Sequence, residues 1–242
     1  MSHRLERPAI SHCAVVIPAR NEEKLLPRCL AAVAAARARL ASARPDVAVQ
    51  VVLVLDRCHD GSAEIAERAG GVTVLHIDAT SVGAARHLGC QWALDAAPGP
   101  AAASWLACTD ADSAVPADWL TWHLEQADDG ADVVLGTVIP DHDEMLGTPF
   151  DRWLDSYPQS DDHTFIHGAN LGVRGDVYIR TGGFRAVLEH EDVRLVQAAR
   201  RLGARVSSTA DCAVITSGRH VGRTPGGFAG WMSTRHDLES SS

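Results

Sequence analysis

Ala103-Ser104-Trp105-Leu106-Ala107-Cys108-Thr109-Asp110-Ala111-Asp112 is an apolar run that ends in two carboxylates at alternate positions. The apolar part reads as a buried strand. Asp110 and Asp112, just past its end, can grip a divalent cation through hard oxygen ligands, although the same spacing also occurs in ordinary acidic turns. Outward from this stretch the chain alternates strand and helix. Residues 14–17 form an apolar strand ended by Pro18, and Asn21 reads as the N-cap of a helix with Glu22 and Glu23 in its first turn. Pro27 falls early in that helix and can cost it a hydrogen bond. Residues 47–55 are a near-continuous β-branched run, the pattern of a central parallel strand buried on both faces. A short helix over 63–69, a strand over 72–77 and a helix over 83–94 lead to the Trp105 strand. A helix over 116–127, with Pro116 tolerated in its first turn, and a strand over 133–138 follow. This order predicts an α/β fold, a Rossmann-like α/β/α sandwich with a mostly parallel central sheet. In such sheets ligands bind beyond the carboxyl ends of strands. Pro18-Ala19-Arg20, Asp56 and Asp110 all fall just after predicted strands, so they should gather at one edge.

Composition bounds the rest. The 242 residues are 46% hydrophobic and 22% charged, enough for one large or two small domains with a sizeable core. A formal net charge of −9, with no local run of Lys or Arg, argues against nucleic acid as a partner, because phosphate repulsion would have to be overcome. No apolar stretch reaches the length of a membrane span; the greasiest, residues 30–40, is alanine-rich and interrupted by Arg37 and Arg39. Residues 1–8 lack a signal-peptide apolar core. Cys13, Cys29, Cys58, Cys90, Cys108 and Cys212 form no CxxC pair, so reduced, mostly buried thiols of a cytoplasmic protein are expected. The second half is less regular. Residues 140–163 are polar and acidic and read as a surface excursion with a short helix around 150–154. Helices over 176–181 and 191–202 and a final strand over 212–216 follow, and 221–242 reads as a mobile Gly- and Ser-rich tail.

Six segments carry a resemblance. They are Val16-Ile17-Pro18-Ala19-Arg20-Asn21-Glu22-Glu23, Asp56-Arg57-Cys58-His59-Asp60-Gly61-Ser62, Gly83-Ala84-Ala85-Arg86, Thr109-Asp110-Ala111-Asp112, Gly168-Ala169-Asn170-Leu171 through Gly182-Gly183-Phe184, and Glu191-Asp192. In this order they resemble family 2 glycosyltransferases of the GT-A fold, over roughly residues 13–220. The resemblance implies a single GT-A domain over 1–242, with a nucleotide-sugar-binding half over 13–112 and an acceptor-side half over 113–220. It implies transfer of a sugar from a UDP- or GDP-linked donor to an unknown acceptor hydroxyl, with Mg2+ or Mn2+ and inversion at the anomeric carbon.

The resemblance also implies roles, and each residue keeps a plainer alternative. Pro18, Ala19, Arg20 and Ala111 would line the donor. Glu22 would contact the ribose, or is a helix-start carboxylate. Asp56 would contact the base, or forms a turn; Asp60 and Ser62 read as a turn and helix cap. Arg86 would sit near the donor phosphates, or makes a surface ion pair. Asp112 would be the principal metal ligand, with Asp110 on the ribose or a metal-bound water. His220 would complete the metal site, or is a surface residue. Arg219 and Arg223 would cover the diphosphate when the tail closes. Asp192 would take the acceptor proton as general base, or stabilises a helix dipole. His167, Gly168, Ala169, Asn170 and Glu191 would lie on the sugar and acceptor side, and Trp153, Tyr157 and Phe165 would line the acceptor or belong to the core.

Three rivals remain. A metal-dependent hydrolase would use Asp141-His142-Asp143-Glu144 and Asp161-Asp162-His163, whose spacing matches no zinc pattern. A sugar nucleotidyltransferase needs a Gly-rich, Arg-bearing loop after its first strand, which Pro18-Ala19-Arg20-Asn21 does not supply. A non-catalytic nucleotide-binding module is the third.

Overall fold

A computed structural model describes residues 7–144, 161, 163–187 and 189–219. The elements in chain order are β1 (His12–Ala19), α1 (Leu26–Ala43), β2 (Ala48–Asp56), α2 (Ser62–Arg68), β3 (Thr73–Ile77), α3 (Val82–Asp95), β4 (Ser104–Cys108), α4 (Trp119–Asp128), β5 (Val133–Pro140), β6 (Leu171–Arg174), α5 (Gly175–Thr181), α6 (Glu191–Arg201) and β7 (Val206–Thr216). The strands form one sheet in the order β3-β2-β1-β4-β6-β5-β7. All pairings are parallel except those of β6, which runs against both β4 and β5.

The alternation of side chains along each strand builds two cores. Cys13, Val15 and Ile17 of β1, Val51, Leu53 and Leu55 of β2, and Trp105 and Ala107 of β4 face α1, α2 and α4. Ala14 and Val16, Val52 and Val54, and Leu106 and Cys108 face α3, α5 and α6. The β-branched runs are therefore buried on both sides, and each fully buried Val or Leu contributes roughly 1.5–3 kcal/mol by leaving water. Gly89 lets α3 lie close on the sheet: a Cβ there would stand 2.6 Å from Val16 Cγ1 and 3.0 Å from Val54 Cγ2.

Several sequence expectations move. Asn21 does not cap α1. It sits in the left-handed region (φ 53°), and the helix begins at Leu26 after an N-cap at Leu25. Pro27 thus lies in the first turn, where its missing N–H costs nothing. The α4 helix starts at Trp119 rather than at Pro116. The last strand begins at Val206, six residues before the expected start at 212, and a register shift between Gly136 and Val138 lets it pair along β5. The expected helix around 150–154, Trp153, Tyr157, His220, Arg223 and the tail over 221–242 lie outside the described residues.

Candidate active site

Strand register sets the site's edge. Ala19 pairs with Leu55 and Val16 with Cys108, so β1, β2 and β4 end side by side and their following loops meet. Hydrogen bonds stitch the first two loops together. His59 N donates to Asn21 Oδ1 (2.7 Å), Glu22 N to Ser62 Oγ (2.8 Å), Glu23 N to Asp60 Oδ2 (3.0 Å) and Gly61 N to Glu23 Oε2 (2.8 Å). Asp60 Oδ1 also accepts from Ser62 N, which makes the expected turn, but the N-cap of α2 is Gly61 and no side chain caps that helix. All four non-glycine residues at positive φ among the described residues, Asn21, Arg57, Thr80 and His190, lie in loops that follow β1, β2 and β3 or precede α6. Backbone strain of this kind persists where the surroundings over-determine it, often at functional sites.

Asp56, 4% exposed, accepts three backbone N–H bonds, from Ala79 (3.0 Å) and Thr80 (2.9 Å) at Oδ1 and from Ser81 (2.9 Å) at Oδ2. It therefore shapes the loop that opens α3, where Ser81 Oγ caps Ala84 N. Of Pro18, Ala19 and Arg20 only Arg20 is exposed, and the Ala111 methyl is packed in the core, so a ligand would meet those residues through their backbone.

Asp112 and Glu22 share one cation. Arg219 Nη2 lies 2.7 Å from Asp112 Oδ2, and its Nη1 donates to both Glu22 oxygens at 3.1 and 3.3 Å. The end of β7 brings Arg219 here. Ala114 N donates to Ile215 O (2.7 Å), Ile215 N returns the bond to Ala114 O (3.1 Å), and Ser113 Oγ donates to Thr216 Oγ1 (2.9 Å). Burial, then repulsion from Asp110 and Glu22, pushes Asp112 up to about 6 despite Arg219. Among the described residues no three His, Cys, Asp or Glu side chains converge as a ready cage for a metal ion. A divalent ion bound through one or two carboxylates and completed by substrate phosphates needs no such cage. Asp112 presents hard carboxylate oxygens whose burial and repulsion from Asp110 are offset only in part by Arg219, and these fit that kind of ion.

Arg86 is the other hub. It is 3% exposed and ion-paired with both Asp110 and Glu191, so it joins the loop after β4 to the start of α6. The sequence expectation is a place near the donor nucleotide or its phosphates, or a surface ion pair; its ion pairs are to Asp110 and Glu191 and it is buried. Gly168 is glycine for this reason, since a Cβ there would stand 2.5 Å from Arg86 Cζ. Gly168 N donates to Asp192 Oδ2 (2.8 Å) and Val193 N to Asp192 Oδ1 (2.7 Å). Burial holds Asp192 above the usual aspartate range, against the pull of Arg86 and these two N–H bonds. Burial likewise raises Glu191, with Arg86 opposing. His167 stacks on Phe165 (interplanar angle 6°), and burial with the neighbouring His163 pushes it down to about 4, so it is neutral at pH 7.

The Asn170 side chain is engaged inside the fold. It is 0% exposed, and its amide donates to Thr137 O (2.9 Å) and Cys212 O (2.8 Å) while accepting from Trp119 Nε1 (2.9 Å). It ties β5, β7 and α4 together, and Ala169 beside it is core. Described residues of the acidic stretches weighed as a metal cluster also make structural bonds. Asp141 pairs with Arg28, Glu144 Oε2 accepts from Ser217 Oγ (2.6 Å) and Gly218 N (2.8 Å), and Asp161 accepts from Ala210 N (3.1 Å). Sequence reasoning missed the Glu191–Arg86 and Arg219–Asp112 pairs. The only local hint was an Arg placed inside an otherwise small, apolar stretch at Gly83-Ala84-Ala85-Arg86.

Residues 14–189 match the family described as Glycosyl transferase family 2. No curated protein sequence matches the chain. Among solved structures it is similar in fold to S. aureus TarS in complex with UDP (15% identity, TM-score 0.62, 86% of this chain and 61% of that one). It is similar to the mannosyltransferase PcManGT from Pyrobaculum calidifontis in complex with GDP-Man and Mn2+ (18%, 0.60, 89% and 59%). It is also similar to the glucosyl-3-phosphoglycerate synthase from Mycobacterium tuberculosis in complex with Mn2+, UDP and glucosyl-3-phosphoglycerate (14%, 0.52, 86% and 73%). The chain thus spans about three-fifths of the first two proteins, at 61% and 59% of their lengths, and shares with them the GT-A, Rossmann-like fold.

Proposed function

This chain belongs to glycosyl transferase family 2, and we propose that its site moves a sugar from a nucleoside-diphosphate donor to an acceptor hydroxyl with inversion. The observation that carries the reading is the Arg86 bridge. It places the Asp110-Ala111-Asp112 loop and the Asp192 end of α6 against one guanidinium, so a donor-side acid pair and a base candidate face one region. UDP or GDP is the proposed nucleotide because similar folds hold UDP or GDP-Man. Glu22 and Arg20 line the donor side, Asp56 shapes the β3–α3 loop beside the base, and Gly168 and His167 face the sugar. Asp112, with Asp110 through water and His220 beyond the described residues, would hold Mg2+ or Mn2+, which when bound supplies Lewis-acid charge to the leaving diphosphate.

The chain's own groups do the rest. Asp192 is held by two N–H donors in a buried setting that raises its basicity, and it accepts the proton of the acceptor hydroxyl. The freed oxygen bonds to the anomeric carbon from the face opposite the diphosphate, whose bond to that carbon breaks. Arg219 supplies positive charge beside the diphosphate. Positioning and fixed charge carry most of the acceleration. Among the described residues no helix is long and apolar enough to cross a membrane. The six free thiols support a reducing, cytoplasmic setting. The test is product release from UDP- and GDP-sugars with Mn2+. Absence of nucleoside diphosphate release across both donor sets, with and without candidate acceptors, would refute the reading.

A further inference from the structure

We infer that Arg219 is a resident counter-cation that keeps Asp112 and Glu22 closed to a free divalent ion until a nucleotide donor arrives. The inference rests on the reading of Asp112 as a cation ligand and adds a residue that decides when that ligand becomes available.

The geometry is that of a plug. One guanidinium spans two buried carboxylates, with Nη2 2.7 Å from Asp112 Oδ2 and Nη1 3.1 Å from Glu22 Oε1. The Asp112 and Glu22 side chains are only 11% and 7% exposed, while Arg219 is 33% exposed. The cation is thus the solvent-facing member, lying over the acids rather than beneath them. Arg86 is different: it lies beneath, fully enclosed, and has no route out without unpacking the core.

A second observation shows that Arg219 is placed by the fold. Glu144 Oε2 accepts from Ser217 Oγ (2.6 Å) and Gly218 N (2.8 Å), and Asp141 N donates to Thr216 O (2.7 Å). With the Ala114–Ile215 backbone pair, these bonds fix the chain up to the residue before Arg219. Only the side chain must turn for the carboxylates to open. Charge-assisted bonds to two carboxylates are strong when they exclude water, so a bare divalent ion must compete with them. A nucleoside diphosphate changes the balance. It brings negative charge for the displaced guanidinium and phosphate oxygens to complete a metal's coordination. Arg219 therefore makes metal binding depend on the donor.

The experiment measures Mn2+ alone, with no nucleotide, on the full chain, by following the paramagnetic resonance signal of free Mn2+ during titration. Arg219→Gln should bind Mn2+ about tenfold tighter than wild type, since one lost charge-assisted contact is worth about that factor. Arg219→Lys, which keeps a cation there, should stay near wild type. Adding Asp112→Asn to Arg219→Gln should remove the gain. The inference is overturned if Arg219→Gln binds Mn2+ no tighter than wild type, or if the gain survives Asp112→Asn. The readout contains neither donor nor acceptor, so its failure and a failure to observe sugar transfer are separate results.

Discussion

His123 offers a quantitative test of how the fold supports its site. It lies on α4 with 0% exposure, its ring centroid 4.8 Å from that of Trp122, 4.9 Å from Trp119 and 6.0 Å from Trp105, and with the Gly172 backbone against it. Neither ring nitrogen has a partner among the described residues. Burial alone pushes the imidazole down to about 3, and no charged group contributes. The folded state therefore keeps His123 neutral, while the unfolded chain takes up a proton below its ordinary value of 6.5. Stability is lost as pH falls from about 6.5 towards 3, because the unfolded state binds more protons in that window. Between about pH 7 and about pH 5 the loss through this one group is about 2 kcal/mol. Urea unfolding of wild type and His123→Leu at both pH values isolates it. The variant keeps an apolar side chain in the cage of tryptophans but does not titrate, and the remaining ionisable groups are common to both chains. The wild type should lose about 2 kcal/mol more than the variant over that interval. Equal losses, or an imidazole that titrates near its ordinary value by NMR, would refute the argument that the ring is fully desolvated.

Five further outcomes follow from the site. Asp192→Asn should lower the transfer rate by about 10²–10⁴-fold while nucleoside diphosphate affinity changes less than about twofold; a variant with near-normal turnover would remove Asp192 as the base. In the wild type kcat/KM should fall on the acid side at a pH above the ordinary aspartate value, because burial raises Asp192 and a base must be ionised to act. An acid limb centred below about 4 would contradict this. Asp112→Asn should abolish the extra thermal stabilisation that Mn2+ adds to nucleoside diphosphate, which amounts to about 2.7 kcal/mol at a ligand concentration of about 100 times Kd. Gly168→Ala drives a methyl into Arg86 and should cost about 1–3 kcal/mol in urea unfolding and slow transfer more than it weakens donor binding. Asn170→Leu strands Trp119 Nε1, Thr137 O and Cys212 O and should destabilise by at least about 3 kcal/mol, with a loss under about 1 kcal/mol showing that the amide is not the tie it looks.

The two-sided burial of residues 51–55 and 104–108 was legible in the sequence, because alternation and β-branching are local and a strand buried on both faces must be apolar throughout. The carboxylate pair after β4 was legible for the same reason: a strand end followed by a loop is a local pattern, and parallel neighbours must bring such ends together. The antiparallel β6 was not, since four residues carry no direction until they find a partner on either side. Nor could local pattern separate Asn170, an interior tie between β5, β7 and α4, from a loop residue facing a sugar. The same limit applied to the two arginines. Charge type is written in the chain, but Arg86 meets Glu191 across 105 residues and Arg219 meets Glu22 across 197. Which carboxylate a guanidinium joins, and whether it lies beneath a site or over it, is decided by packing between elements distant in sequence.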